Sequence, residues 1–351
     1  MTTLFDPITL GAVTAPNRIL MSPLTRARAT RAHVPTPVMA QYYAQRASAG
    51  LIISEAIGIS VEGLGWPYAP GLWSDEQVAA WKPVTAAVHA AGGRIAAQLW
   101  HMGRVVHPSM GGGAPVSASA TTAPGEAHTY DGKQANVQAK ALSVEEIARV
   151  VEDYVRAARR AMDAGFDMVQ VHGANGYLVD QFLRDSSNQR TDAYGGAPGN
   201  RIRFLMDVMG ALARECGASR VAVRLSPDAL SNGVQDSNPA AVFDPAARAL
   251  SELGIAFLEV REPGDGPATA PTTAVIRAAF RGPLVINSGY TFDKATTALA
   301  EGRADAVAFG KSFLANPDLP RRFAERLPLN PPDVRTFYTQ GPEGYIDYPP
   351  A

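Results

Sequence analysis

The chain has 351 residues, of which 46% are hydrophobic and 19% charged, a composition of globular proteins. Its formal net charge of -1 provides no broad field for drawing in nucleic acid or an acidic membrane, so any bound anion must be held by a local site. A single cysteine, Cys216, excludes an internal disulfide and a four-thiolate zinc or iron–sulfur site.

Eight short runs of apolar residues recur along the chain: 18–22, 51–56, 95–100, 168–172, 221–226, 257–260, 284–288 and 306–309. Each is apolar on consecutive positions, the pattern of a strand buried on both faces of a parallel sheet. Between them the sequence predicts helices over 75–91, 143–164, 201–215, 245–253, 273–280 and 292–301. The second opens with the capping box Ser143–Glu146 and stops at Gly165. Alternating strands and helices admit a doubly wound sheet or a closed barrel. A count of eight, with no dinucleotide fingerprint after the first strand, predicts one α/β domain over 1–351, a (β/α)8 TIM barrel. The long Gly-, Pro-, Ala- and Ser-rich connection 101–142 after the third strand is expected to decorate the barrel mouth, as is the shorter one at 226–243. The N-terminus lacks a basic head followed by an apolar run, and no apolar stretch approaches the ~20 residues needed to span a bilayer. A cytoplasmic protein without membrane or nucleic-acid partners is the expectation.

Chemistry in such barrels sits at the carboxyl ends of the strands. There the chain places Pro23-Leu24-Thr25-Arg26, then Gln98 with Trp100-His101, then His172-Gly173-Ala174-Asn175-Gly176-Tyr177, then Arg224, Ser288-Gly289 and Gly310-Lys311. The glycines after strands seven and eight, with the Lys311 ammonium, suit a phosphate, although ordinary turn glycines would look the same. Gly310-Lys311-Ser312 is not a P-loop, because Asp305 stands where that motif requires glycine. His172 and Asn175 can aim two donors at one oxygen acquiring negative charge, and Tyr177 follows as a proton source. No zinc-type His spacing and no Gly-x-Ser-x-Gly elbow occurs, so metal hydrolysis and serine hydrolysis lack support.

These segments, with Pro16-Asn17-Arg18, Gln98 through Arg104, Ser187 through Asp192 and Ala315 through Leu319, form an ordered series that resembles the Old Yellow Enzyme family of flavin ene-reductases over essentially the whole chain. The resemblance implies tightly bound, non-covalent FMN, with NADPH or NADH as reductant. It implies that Thr25 bonds the flavin near its reactive nitrogen, that Pro23, Leu24 and Ala56 line the ring, and that Gln98 and Arg224 bind its pyrimidine end. Ser288, Gly289, Gly310 and Lys311 would hold the phosphate. His172 and Asn175 would grip the substrate's carbonyl or nitro oxygen and Tyr177 would protonate the carbon alpha to it, with Trp100 and Tyr338 shaping the pocket. Implied substrates are enones, enals, maleimides and nitroalkenes, with nitrate esters and phenolic ligands also accommodated, in a monomer or homodimer. Lysine at 311, where the family usually has arginine, lacks the bidentate fork. The rival reading is a flavin- or phenol-binding sensor with little turnover.

Overall fold

The computed structural model describes residues 2–263 and 271–351. The eight expected strands form a closed parallel barrel: Ile19–Met21, Ile52–Gly58, Ile95–Trp100, Met168–Gly173, Val221–Leu225, Leu258–Arg261, Leu284–Asn287 and Ala306–Phe309, the last pairing with the first. The fold is therefore the TIM barrel read from the apolar runs. Helices surround it at Pro37–Ala44, Asp75–Ala90, Val144–Asp163, Arg203–Cys216, Pro239–Leu253, Pro271–Ala279 and Phe292–Ala300. No helix among the described residues is long and apolar enough to cross a membrane.

The Ser143–Glu146 capping box forms as expected, the serine hydroxyl accepting from the Glu146 backbone N–H and the glutamate reaching back to Ser143. The helix expected to begin at Pro245 instead begins at Pro239, capped by the Asn238 side chain on Ala241 N–H. A proline at the first helical position is free of cost, and here that proline is Pro239; Pro245 lies inside the helix. Helix Pro37–Ala44, absent from the sequence reading, buries Met39, Tyr42 and Tyr43.

Inside the barrel, side chains two apart on a strand point the same way and so form layers. The bottom layer is apolar: Ala96, Met168, Ala222, Phe257, Val285 and Ala306 belong to one cluster, joined from below by the hairpin of Ile8–Leu10 and Val13–Ala15. Two residues further along the same strands stand Gln98, Gln170, Arg224, Glu259 and Asn287, all buried. Two further again come Trp100, His172 and Arg261, on the mouth side. Period two along each strand thus turns a dry plug into a polar floor and then into a site.

The connection 101–142 does decorate the mouth. It holds an antiparallel hairpin, Glu126–Thr129 with Gly132–Ala135, and a short pairing of Val116–Ser117 with Lys140–Ala141. Gln181 fastens it to the following strand–helix turn, since its amide nitrogen donates to the Met102 and Gly176 carbonyls at 3.1 and 2.8 Å. The run around Arg190 is structural: the guanidinium donates to the Ala118 and Leu142 carbonyls and pairs with Asp192.

Candidate active site

A cavity of about 740 Å³ opens at the carboxyl end of the barrel. All fifteen residues singled out from the sequence line it, from Pro23, Leu24 and Thr25 after the first strand to Gly310 and Lys311 after the eighth. Among the described residues the lining contains Arg224, Arg261 and Lys311 and no carboxylate, so the cavity is built for an anionic occupant.

Its floor is a connected polar chain. Gln98 Nε2 donates to Gln170 Oε1 at 2.8 Å, and Gln170 Nε2 donates to Glu259 Oε2 at 2.8 Å. The other carboxylate oxygen lies 3.1 Å from Arg224 Nε, an ion pair without hydrogen-bond geometry. Arg224 donates in turn to Asn287 Oδ1 at 2.7 Å, and Asn287 Nδ2 donates to the Ala308 carbonyl at 2.7 Å. Gln170, Glu259 and Asn287 were not identified from sequence. Their signal was there, a polar residue inside an apolar strand run, but its meaning depends on which strands are neighbours.

At the mouth His172, Trp100 and Tyr177 form one aromatic group, Tyr177 meeting both other rings edge-on at 5.0 Å between centroids. The Ala174 N–H donates to His172 Nδ1, which assigns the ring proton to Nε2. Burial, and then the Arg224 charge, hold the His172 imidazole well below its ordinary pKa, so it is a neutral donor. Burial and the Tyr338 hydroxyl push Tyr177 up to about 12, which keeps its proton on at neutral pH. Asn175 sits in the left-handed region at φ 59°, followed by Gly176 at 73°. Asparagine tolerates that conformation, while a Cβ at Gly176 would lie 2.3 Å from the Ser231 carbonyl oxygen. The turn is held by Ser226 Oγ, which accepts from the Asn175 N–H at 2.8 Å, and by Asn232, which donates to the Asn175 carbonyl at 2.8 Å. Asn175 Oδ1 and Trp100 Nε1 are buried without hydrogen-bond partners, polar atoms that an occupant could satisfy.

Over the mouth, Trp66 packs on His128 of the hairpin at 4.2 Å and on Tyr338 at 5.1 Å, so three distant segments form a roof. Trp66, Arg261 and Tyr290 line the cavity and were missed in the sequence, because they stand in irregular segments or beyond the apolar runs. At the far side Ser288 (φ 99°) and Gly289 (φ 67°) are both left-handed. For a serine that backbone is strained, a feature that concentrates at functional sites.

The loop carrying Thr25 is anchored by Glu55, whose Oε2 accepts from the Arg26 N–H at 3.2 Å while Tyr43 hydroxyl donates to Oε1 at 3.3 Å. Burial raises Glu55 to about 7. A carboxyl whose pKa is higher folded than unfolded stabilises the fold below its unfolded value near 4.5, and this is lost as pH rises toward 7. Glu55→Gln is therefore expected to remove a loss on the order of 3 kcal/mol between those pH values, measured by urea unfolding at pH 4.5 and 8.

The profile of the NADH:flavin oxidoreductase / NADH oxidase family matches residues 3–330. The chain belongs to this family. As the sequence resemblance implied, it is a flavin oxidoreductase of the Old Yellow Enzyme group. This flavin oxidoreductase is 58% identical to an old yellow enzyme homologue from Zymomonas mobilis, whose structure superposes with a TM-score of 0.97 over 99% of each chain. Morphinone reductase superposes at 0.96 with 45% identity, over 99% of this chain and 96% of that one. A further structure of morphinone reductase, in complex with tetrahydroNAD, also scores 0.96 with 45% identity, over 100% of this chain and 98% of that chain. In sequence, 12-oxophytodienoate reductase 2 of Arabidopsis thaliana is 41% identical over 358 residues, covering 99% of this chain and 95% of the plant protein.

Proposed function

We propose that this flavin oxidoreductase is an FMN-dependent ene-reductase, taking electrons from NADPH or NADH and delivering them to carbon–carbon double bonds conjugated to a carbonyl or nitro group. The cavity's chemistry fits FMN. Pro23, Leu24 and Ala56 offer an apolar edge, Gln98 and Arg224 polar partners from the floor, and the left-handed Ser288-Gly289 backbone with Gly310 and Lys311 a cradle for phosphate. Thr25 would tune the bound ring. Lys311 would act as a point charge, without the paired contacts of an arginine. When bound, the flavin supplies hydride obtained from the nicotinamide, whose binding is supported by the tetrahydroNAD complex of the related morphinone reductase.

The residues of the chain do the rest. His172 Nε2–H and the Asn175 amide grip the substrate oxygen, withdrawing electron density from the distant alkene carbon so that it accepts hydride. Neutral His172 suits this role, because it donates a hydrogen bond without surrendering a proton to the oxygen. Tyr177 hands its proton to the carbon next to the activating group. Trp100, Trp66 and Tyr338 provide apolar walls on which a flat substrate or a phenol can lie.

The observation that carries this reading is that two neutral donors, His172 and Asn175, and a protonated tyrosine line one cavity above a polar floor. It is tested by Tyr177→Phe. Reoxidation of the reduced protein by cyclohexenone should slow roughly 10²- to 10⁴-fold, with reduction by NADPH within a few-fold of wild type. Equal slowing of both half-reactions would remove the tyrosine from proton delivery.

A further inference from the structure

The polar floor contains one group with no evident role in gripping substrate. Glu259 is fully buried and does not line the cavity; it connects Arg224, which does, with Gln170, which in turn holds the lining residue Gln98. On one side it pairs with Arg224 at 3.1 Å; on the other it accepts from Gln170 at 2.8 Å. A carboxylate can only accept, so Gln170 must turn its NH2 toward Glu259 and its oxygen toward Gln98. That oxygen then takes the Gln98 NH2, at 2.8 Å. The remaining atom, Gln98 Oε1, has no hydrogen-bond partner among the described residues and is left as an acceptor at the cavity wall. Without the carboxylate both amides could flip, and Gln98 would offer either end.

We infer that Glu259 is a positioning residue for the flavin: it fixes Gln98 as a hydrogen-bond acceptor through Gln170, and it sets how much of the Arg224 charge the bound ring feels. The inference rests on the reading that Gln98 and Arg224 face the flavin. A guanidinium balanced by a buried carboxylate stabilises added negative charge on a neighbour less than a bare one does. Glu259 therefore holds the affinity for reduced flavin down relative to oxidised flavin.

The test is the ratio of dissociation constants for oxidised and reduced FMN, read from the midpoint potential of the holoprotein and from direct titration of oxidised FMN. Glu259→Gln should raise the relative affinity for reduced FMN about tenfold, equivalent to ~30 mV for a two-electron couple. Glu259→Asp, which keeps the charge, should restore a ratio within about twofold of wild type. Gln170→Leu cuts the relay and spares the ion pair; it should weaken oxidised FMN binding about tenfold with the ratio unmoved. An unchanged ratio in Glu259→Gln overturns the inference if Arg224→Met shifts the ratio the opposite way. If Arg224→Met leaves it unmoved as well, the placement of Arg224 beside the flavin fails with it. Should Glu259→Gln not fold, unaltered FMN affinity in Gln170→Leu overturns the proposal.

Discussion

Replacing both His172 and Asn175 with alanine is expected to slow reoxidation of the reduced protein by cyclohexenone at least ~100-fold, while reduction by NADPH stays within a few-fold of wild type. A single preorganised donor to a developing oxyanion contributes roughly 10²–10³ in rate, and two donors on one oxygen act as a unit and do not multiply. The Ala174 N–H fixes the His172 tautomer, and Ser226 and Asn232 fix the backbone of Asn175, so neither donor has to reorganise as charge builds. Their cost was met during folding. Stopped-flow measurement of the two half-reactions separates the effects. Reoxidation at the wild-type rate in the double variant would remove the anchor from the account.

The second large effect concerns stability. Asp180 and Arg184 are fully buried one helical turn apart, with Arg184 Nε donating to Asp180 Oδ1 at 2.6 Å. The same aspartate accepts the Gly176 N–H at 2.9 Å, and the same arginine donates to the Ser226 and Pro227 carbonyls. This pair ties the turn bearing Asn175 and Tyr177 to the loop after the fifth strand. Asp180→Ala leaves a buried guanidinium without its anion and frees Gly176, so the loss should be about 3–5 kcal/mol, measured by urea unfolding. Because the freed turn carries Asn175 and Tyr177, the residues proposed to act on the substrate, cyclohexenone reoxidation should fall more than NADPH reduction. A loss below about 1 kcal/mol would show the pair to be replaceable by water.

Much of this was legible in the sequence because barrel strands are buried on both faces. Runs such as Ile95–Trp100 and Ala306–Phe309 need no partner to be recognised. The hairpin Glu126–Thr129 with Gly132–Ala135 is half exposed and mixed in polarity, so only its Asp131-Gly132 pair marks it, and it passed as irregular loop. Most residues at the mouth were found because they lie in or directly after apolar runs, although Arg261, which follows the sixth run, was passed over. The floor was not. Gln170, Glu259 and Asn287 acquire meaning only when the third to seventh strands are set side by side in order, and no single segment encodes that register. Trp66 and Tyr338 make their contact across most of the chain's length, and only Tyr338 was reached, through the family resemblance.

An anaerobic titration of the pure protein followed by visible absorption tests the central claim most directly. A bound-flavin band is expected, bleached by one equivalent of NADPH or NADH, that returns on adding cyclohexenone and stays bleached with cyclohexene, which has no oxygen for His172 and Asn175 to hold. A protein without flavin absorption, or one reoxidised equally fast by both alkenes, would contradict it.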